Sequence, residues 1–274
     1  MAAVAPALAG WRSPSRSVRA FQCWLTVYRR IWRSSIWSSV LGPLFYLGAL
    51  GLGLGSLVNR HGPAATASLG GVSYLAFVAP AILASGAMNA AMSEASYPVF
   101  GSVKWNRIYI AAQASPLRPG DIYRGHLMFM TMRIAMNSAL VTMFLWVFGA
   151  ARSAWVVMAW PAAVLTGLAF AAPVAAWAIT VKQANSFAYV FRFGLMPLML
   201  FSGTFFPLSQ LPAGLHALAA ALPLWHGVAL CRAFSLGTAA DDPAGMLGHV
   251  AYLAVLAVVG IWAGARTYRR RLYV

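Results

Sequence analysis

Six stretches of the chain are apolar and long enough to cross a bilayer as helices: about 36–58, 72–92, 125–148, 154–181, 187–206 and 248–265. A hydrocarbon core about 30 Å thick asks for about 20 such residues at 1.5 Å of rise each. A further apolar stretch, FSGTFFPLSQLPAGLHALAAALPLWH at 201–226, is broken by Pro207, Pro212 and Pro223. A helix over 212–222 reaches only about 16 Å, roughly half the hydrocarbon thickness. Proline ends helices, and irregular backbone persists at membrane depth only where protein or a watery cavity satisfies it. The pattern predicts a re-entrant hairpin over about 207–226 that enters the outer leaflet and turns back, the alternative being an amphipathic outer loop.

Ahead of the first span the period changes. In FQCWLTVYRRIWR, residues 21–33, Phe21, Trp24, Leu25, Tyr28 and Trp32 share one helical face, and Gln22, Thr26, Arg29, Arg30 and Arg33 share the other. An aromatic face opposite a basic one predicts a helix over about 16–34 lying in the membrane interface among lipid headgroups, or also touching a cytosolic partner. Residues 1–14 lack the positive start and hydrophobic core of a secretory signal and are expected to form a disordered tail. The remainder, 15–274, reads as a single six-span, all-α polytopic domain. Between spans 2 and 3, residues 93–124 form the longest polar connection. Within it KWNRIYIAAQ suits a short helix, SPLRPGD supplies turn chemistry, and Asp121 is placed to cap the next helix. The segment is either a rigid protrusion suited to transmit a push from another protein or an ordinary loop.

Composition agrees with a bilayer as the main solvent: of 274 residues, 61% are hydrophobic and 9% charged. The net charge of +16 would suggest nucleic acid in a soluble protein. Here its placement says otherwise. With the N-terminus inside, the inner segments hold Arg12, Arg16, Arg19, Arg29, Arg30 and Arg33, then Lys104, Arg107, Arg118 and Arg124, then Lys182 and Arg192, then Arg266, Arg269, Arg270 and Arg271. Outer loops hold only Arg60, Arg152 and Arg232, and Arg133 falls within span 3. This asymmetry predicts cytoplasmic N- and C-termini in a cell inner or plasma membrane. It assigns the charge to anionic headgroups and a cytosolic partner rather than to nucleic acid. Cys23 and Cys231 fall on opposite sides and cannot pair.

No G-x-x-x-x-G-K-[ST] occurs, so the chain has no P-loop for ATP and no cofactor of its own is expected. The histidines at 61, 126, 216, 226 and 249 show no zinc-site spacing, and no nucleophile elbow appears. Polar groups within spans are functional candidates by default. Arg133 either serves such a role or snorkels to the interface. Asn89, Asn137, Thr142 and Thr180 either line a path or join helices by hydrogen bonds. So few charges argue against an ion conduit and for an amphiphilic cargo, to which Phe45, Tyr46, Met88, Met136 and Phe205 offer adaptable contacts.

The chain resembles the permease subunits of type-2 ATP-binding-cassette exporters, most closely the nodulation-factor and drug-exporter permeases. The resemblance rests on the basic N-terminal helix, on Glu94 at the inner end of span 2, and on Ser115-Pro116-Leu117 and Gly120-Asp121-Ile122. Above all it rests on Phe201-Ser202-Gly203-Thr204-Phe205-Phe206-Pro207 followed by Gln210-Leu211-Pro212 and Leu222-Pro223-Leu224-Trp225-His226. It implies a subunit, not itself an enzyme, that pairs with a second permease and with cytosolic ATPase subunits holding ATP and Mg. It also implies a coupling helix in the inner loop, with Lys104, Trp105, Arg107 and Tyr109 seated in an ATPase cleft and Glu94 and Asp121 in the same coupling region. The outer hairpin would help close the substrate path, which places Phe205, Phe206, Pro207, Pro212 and His226 with Phe45, Met88, Asn89 and Asn137 as path or gate residues. Gly125-His126 departs from the Gly-Glu pair frequent in such permeases, so no role carries over from that glutamate. Two other classes stay open: an integral-membrane enzyme acting on lipid-linked substrates with His126 or Glu94 as acid or base, and a passive channel or scaffold.

Overall fold

The computed structural model describes residues 15–49, 53, 55, 56, 69, 71–207 and 212–272. Among them every regular element is helical. In chain order these are α1 (Arg16–Gly48), α2 (Tyr74–Ala95), α3 (Tyr97–Lys104), α4 (Ile108–Gln113), α5 (Pro119–Val147), α6 (Val156–Ala178), α7 (Asn185–Tyr189), a π-helical turn (Val190–Leu195), α8 (Met196–Phe201), α9 (Ala213–Ala220), α10 (Pro223–Leu236) and α11 (Pro243–Leu272). The expected tail at 1–14, the end of the first predicted span and residues 208–211 of the expected hairpin lie outside the described residues.

Four helical stretches among the described residues are long and apolar enough to cross a membrane: Tyr74–Lys104, α5, α6 and α11. They correspond to predicted spans 2, 3, 4 and 6. Predicted span 5 is helical over 185–201 but in three short pieces, of which the middle one is π-helical. Together these reach roughly 26 Å. Single π turns inside helices occur frequently at functional sites.

α2 lies at the centre, buried along most of its length and packed on α5, α6 and α10. It starts cleanly because Ser73 Oγ accepts the Ala76 N–H at 3.3 Å. α11 packs most extensively on α6. Their approach depends on Gly260, where a Cβ would stand 2.5 Å from Pro173 Cδ. Small residues let membrane helices close to backbone contact, and dispersion supplies the attraction where lipid competes for apolar surface.

α1 differs from expectation. It is one helix of 33 residues with no break between the expected interface segment and the expected span. Its first turns run beside α5 in the same direction. Ser17 Oγ donates to Asp121 at 3.1 Å, Trp24 stacks on His126, and Tyr28 meets Phe129 at 6.0 Å. At Gly125 a Cβ would lie 2.5 Å from Ala20 Cβ and 2.8 Å from the Phe21 nitrogen, so only glycine admits α1 this closely. The aromatic stripe assigned to lipid is therefore in part a packing seam: Tyr28 is buried and Trp24 half-buried, while Trp32 stays exposed. The opposite face, with Gln22, Thr26, Arg29, Arg30 and Arg33, is exposed.

Candidate functional site: a polar cleft beside the central helix

Ser85, Asn89 and Ser93 recur every fourth residue on α2, which brings three polar side chains onto one face. That face borders a cavity of about 460 Å³ whose other walls are Gly42 and Tyr46 of α1, Arg133 and Asn137 of α5, and Met199 of α8. Asn89 Nδ2 donates to the Ser85 carbonyl at 2.9 Å, and Asn137 Nδ2 reaches the Gly86 carbonyl at 3.5 Å. At the end of the cleft nearest the α3–α4 loop, Arg133 Nε donates to Glu94 Oε1 at 2.9 Å, and the guanidinium sits 4.8 Å from the centre of the Tyr28 ring. Two charges in such surroundings persist only as a pair, because desolvation of either alone is costly.

A second hollow of about 690 Å³ opens from the same place. It shares Asn89 and Met199 with the first and is otherwise walled by residues of α7, the π turn and α8, including Tyr189, Phe191, Arg192, Phe193 and Met196. One wall is thus hydrogen-bonding and the other aromatic and thioether. That pairing suits a molecule with a polar part and an apolar part.

The predicted path residues divide. Asn89 and Asn137 line the cleft. Met88, one residue along, is completely buried in the core and cannot contact a cargo there. Phe45 is exposed on α1 and takes no part in the cleft wall, whereas Tyr46 does and faces Phe205 at 6.3 Å between ring centres. Phe206 and Pro207 are half-buried just after Gly203, which turns the chain at φ 72°. Pro212 is exposed at the start of α9.

Arg232 was expected in an outer loop. It instead turns inward, donating from Nε to the Phe77 carbonyl at 3.2 Å and from Nη2 to the Gly203 carbonyl at 2.9 Å, with its guanidinium 3.9 Å from the Phe77 ring centre. Arg232 therefore joins α10, α2 and the turn before Phe205. α10 lies antiparallel to α6, with Gly227 against Thr166 and the Cys231 thiol 3.6 Å from the Ala159 carbonyl. At its start, His226 Nδ1 is 2.8 Å from His249 Nδ1, and its ring stacks on Tyr252 at 3.9 Å. Tyr252 in turn donates to the Ala221 carbonyl at 2.7 Å.

The coupling candidates also divide. Lys104, Trp105 and Arg107 are exposed at the turn between α3 and α4. Arg107 holds φ 50°, a left-handed conformation that costs a non-glycine residue about 1–2 kcal/mol. Tyr109 cannot enter a partner's cleft as expected. It is fully buried, its hydroxyl bonded to His126 Nδ1 and, at 3.2 Å, to the Tyr268 hydroxyl, and burial holds its phenol above the usual range. Glu94 likewise faces the cleft and Arg133 rather than a docking surface. Asp121 caps α5, accepting from the Arg118 N–H at 3.2 Å and from Ser17. Among the described residues no three His, Cys, Asp or Glu side chains gather as a metal site.

Comparison with known proteins extends this geometry. Residues 19–234 match the family described as ABC-2 type transporter. The chain is 32% identical over 256 residues to Nodulation protein J of Rhizobium leguminosarum bv. trifolii, covering 91% of this chain and 94% of that protein. It is 32% identical to the protein of the same name from Bradyrhizobium diazoefficiens, with the same coverage. The match to the Rhizobium meliloti protein is 30% identical over 257 residues, again 91% and 94% of the two chains.

Proposed function

From its place in the ABC-2 type transporter family, to which this chain belongs, we propose that it exports an amphiphilic drug, lipid or glycolipid through the cleft between α1, α2, α5 and α8, powered by a separate ATPase. The carrying observation is the cleft itself. A hydrogen-bonding face with a charged pair, opening beside aromatic and methionine walls, is unsuited to lipid contact and suited to a cargo of mixed polarity. An open polar wall at membrane depth needs protein over it, which favours a second permease copy, identical or paralogous, seated across the cleft.

Orientation follows the positive charge: both termini and the α3–α4 loop in the cytoplasm, and α9–α10 at the outer side. The antiparallel run of α10 along α6 supports a hairpin that enters the bundle and leaves by the same side. The exposed tip formed by Lys104, Trp105 and Arg107 is the surface offered to the ATPase, where ATP and Mg would be held. The enzyme alternative gains nothing from the geometry. Glu94 is occupied by Arg133, and His126 is walled in by Trp24 and Tyr109.

The direct test is affinity purification of the full chain in mild detergent from its native host. A nucleotide-binding subunit with a P-loop should co-purify, and Trp105→Ala should weaken its retention. Recovery of the chain with no such subunit contradicts the assignment.

A further inference from the structure

Beneath the exposed loop tip, side chains from three separate helices meet in a buried cluster. Tyr109 of α4 bonds through its hydroxyl to His126 of α5 and Tyr268 of α11, and all three are at most 1% exposed. Gln113, at the end of α4, donates to the carbonyl of Leu272, the last residue of α11. From the fourth side Trp24 of α1 lies flat on the His126 imidazole, 3.9 Å between centres at an interplanar angle of 6°.

An imidazole serves two neighbours at once here: its edge bonds Tyr109 and its face stacks on Trp24. A carboxylate at this position would bond the tyrosine but offer the indole no ring. Nε2 of His126 is buried without a hydrogen-bond partner among the described residues, so the side-chain hydrogen bonding of the ring rests on Tyr109, with Trp24 and Phe129 packed around it.

The cluster has a continuation. His126 and Arg133 are seven residues apart and share a side of α5, while Trp24 and Tyr28 are four apart and share a side of α1. Trp24 covers His126, and Tyr28 lies under the Arg133 guanidinium that holds Glu94 in the cleft. Tyr109 and the exposed Ile110 are adjacent in α4, so whatever displaces the tip displaces the tyrosine. Buried this deeply, these hydrogen bonds are not readily exchanged for bulk solvent, and the linked groups move together or break at a cost.

We propose that the Tyr109–His126–Tyr268 chain is a mechanical relay, made of positioning residues, that carries displacement of the loop tip into α11 and, through Trp24 and Tyr28, to the Arg133–Glu94 pair in the cleft. This rests on the proposed seating of an ATPase on the tip.

The test uses the full chain co-purified with its ATPase in vesicles of phosphatidylethanolamine and phosphatidylglycerol, with amide hydrogen exchange read before and after trapping the ATPase with ADP and vanadate. In the wild type, trapping should change exchange in three segments: 108–113, 126–137 and 266–272. Tyr109→Phe and Tyr268→Phe keep the rings and remove the hydroxyls. In Tyr109→Phe the response at 108–113 should persist while that at 126–137 and 266–272 shrinks about fivefold, the factor set by one net hydrogen bond of about 1 kcal/mol. Tyr268→Phe should shrink the response at 266–272 alone, the Gln113–Leu272 contact remaining in place. A merely structural cluster would raise exchange equally with and without trapping, and that result overturns the relay. So does an undiminished response at 126–137 and 266–272 in Tyr109→Phe. If no ATPase is recovered, or if 108–113 is unresponsive in the wild type, the transport assignment itself fails and the relay with it.

Discussion

Arg133 and Glu94 approach to 2.9 Å across the cleft, one from α5 and one from α2, with the Tyr28 ring of α1 beneath the guanidinium. Three helices thus meet at one point, two through the ion pair and the third through the ring beneath the guanidinium. Both side chains keep a little exposure, 17% and 19%, which moderates the energetics of breaking the pair. We expect Glu94→Gln to destabilise the chain by about 1–3 kcal/mol, less than a fully buried pair would lose. The double variant Glu94→Gln/Arg133→Met should recover most of that. Thermal unfolding in detergent of the two single variants and the double variant closes the cycle, and additive losses would show that the pair does not couple.

The contact at Gly125 is just as specific. A methyl group there meets the Ala20 side chain and the α1 backbone closer than real contacts allow. Gly125→Ala is expected to cost about 1–3 kcal/mol, as overpacking does, and to free the first turns of α1. Gly120→Ala, whose new methyl would lie 3.7 Å from the nearest atom, Arg124 Nη2, is the matched control. Limited proteolysis near Arg19 and Arg29 should accelerate in the first variant only.

At the other end of the bundle His226 Nδ1 meets His249 Nδ1 at 2.8 Å, and Tyr252 covers the His226 ring. His226→Ala removes both the hydrogen bond and the stack and should destabilise the chain by about 1–3 kcal/mol. His226→Phe, which keeps a ring against Tyr252, should lose less. Thermal unfolding of the two variants in detergent checks this, and equal losses would contradict the stack.

Arg232 supplies a fourth prediction. Its donors satisfy the Phe77 and Gly203 carbonyls. Arg232→Met orphans both and should destabilise by about 2–3 kcal/mol, while Arg232→Lys, which retains a donor, should lose less. Differential scanning fluorimetry of the two variants decides it.

Parts of this architecture are legible in the residues themselves. Long apolar runs mark α2, α5, α6 and α11 because lipid admits little else, and Asp121 announces its capping role through the turn residues before it. Asn89 and Asn137 stand out in the sequence as polar groups within apolar spans, but that Ser85 and Ser93 join Asn89 on one cleft wall emerges only from the helix they share. Other features depend on partners distant in the chain. Nothing near Tyr109 tells that it turns inward to meet Tyr268, 159 residues later. The N-terminal aromatic stripe has the same period whether it faces lipid or another helix, and only Gly125 across from it decides for packing. Arg232 reads as an outer-loop charge because the carbonyls that hold it belong to Phe77 and Gly203, far away in sequence. Met88 and Asn89 differ by one position, which on a helix moves the side chain by about 100° and separates core from cleft.

Export through the cleft requires most directly that Asn89 face a water-accessible path that changes with nucleotide. With Cys23→Ser and Cys231→Ala as background, Asn89→Cys in the ATPase complex, reconstituted in vesicles, can be challenged with a membrane-impermeant thiol reagent before and after vanadate trapping. The expected result is labelling in one state and protection in the other. Equal resistance in both states, with reaction only toward a lipid-soluble thiol reagent, would place Asn89 against lipid and contradict the path.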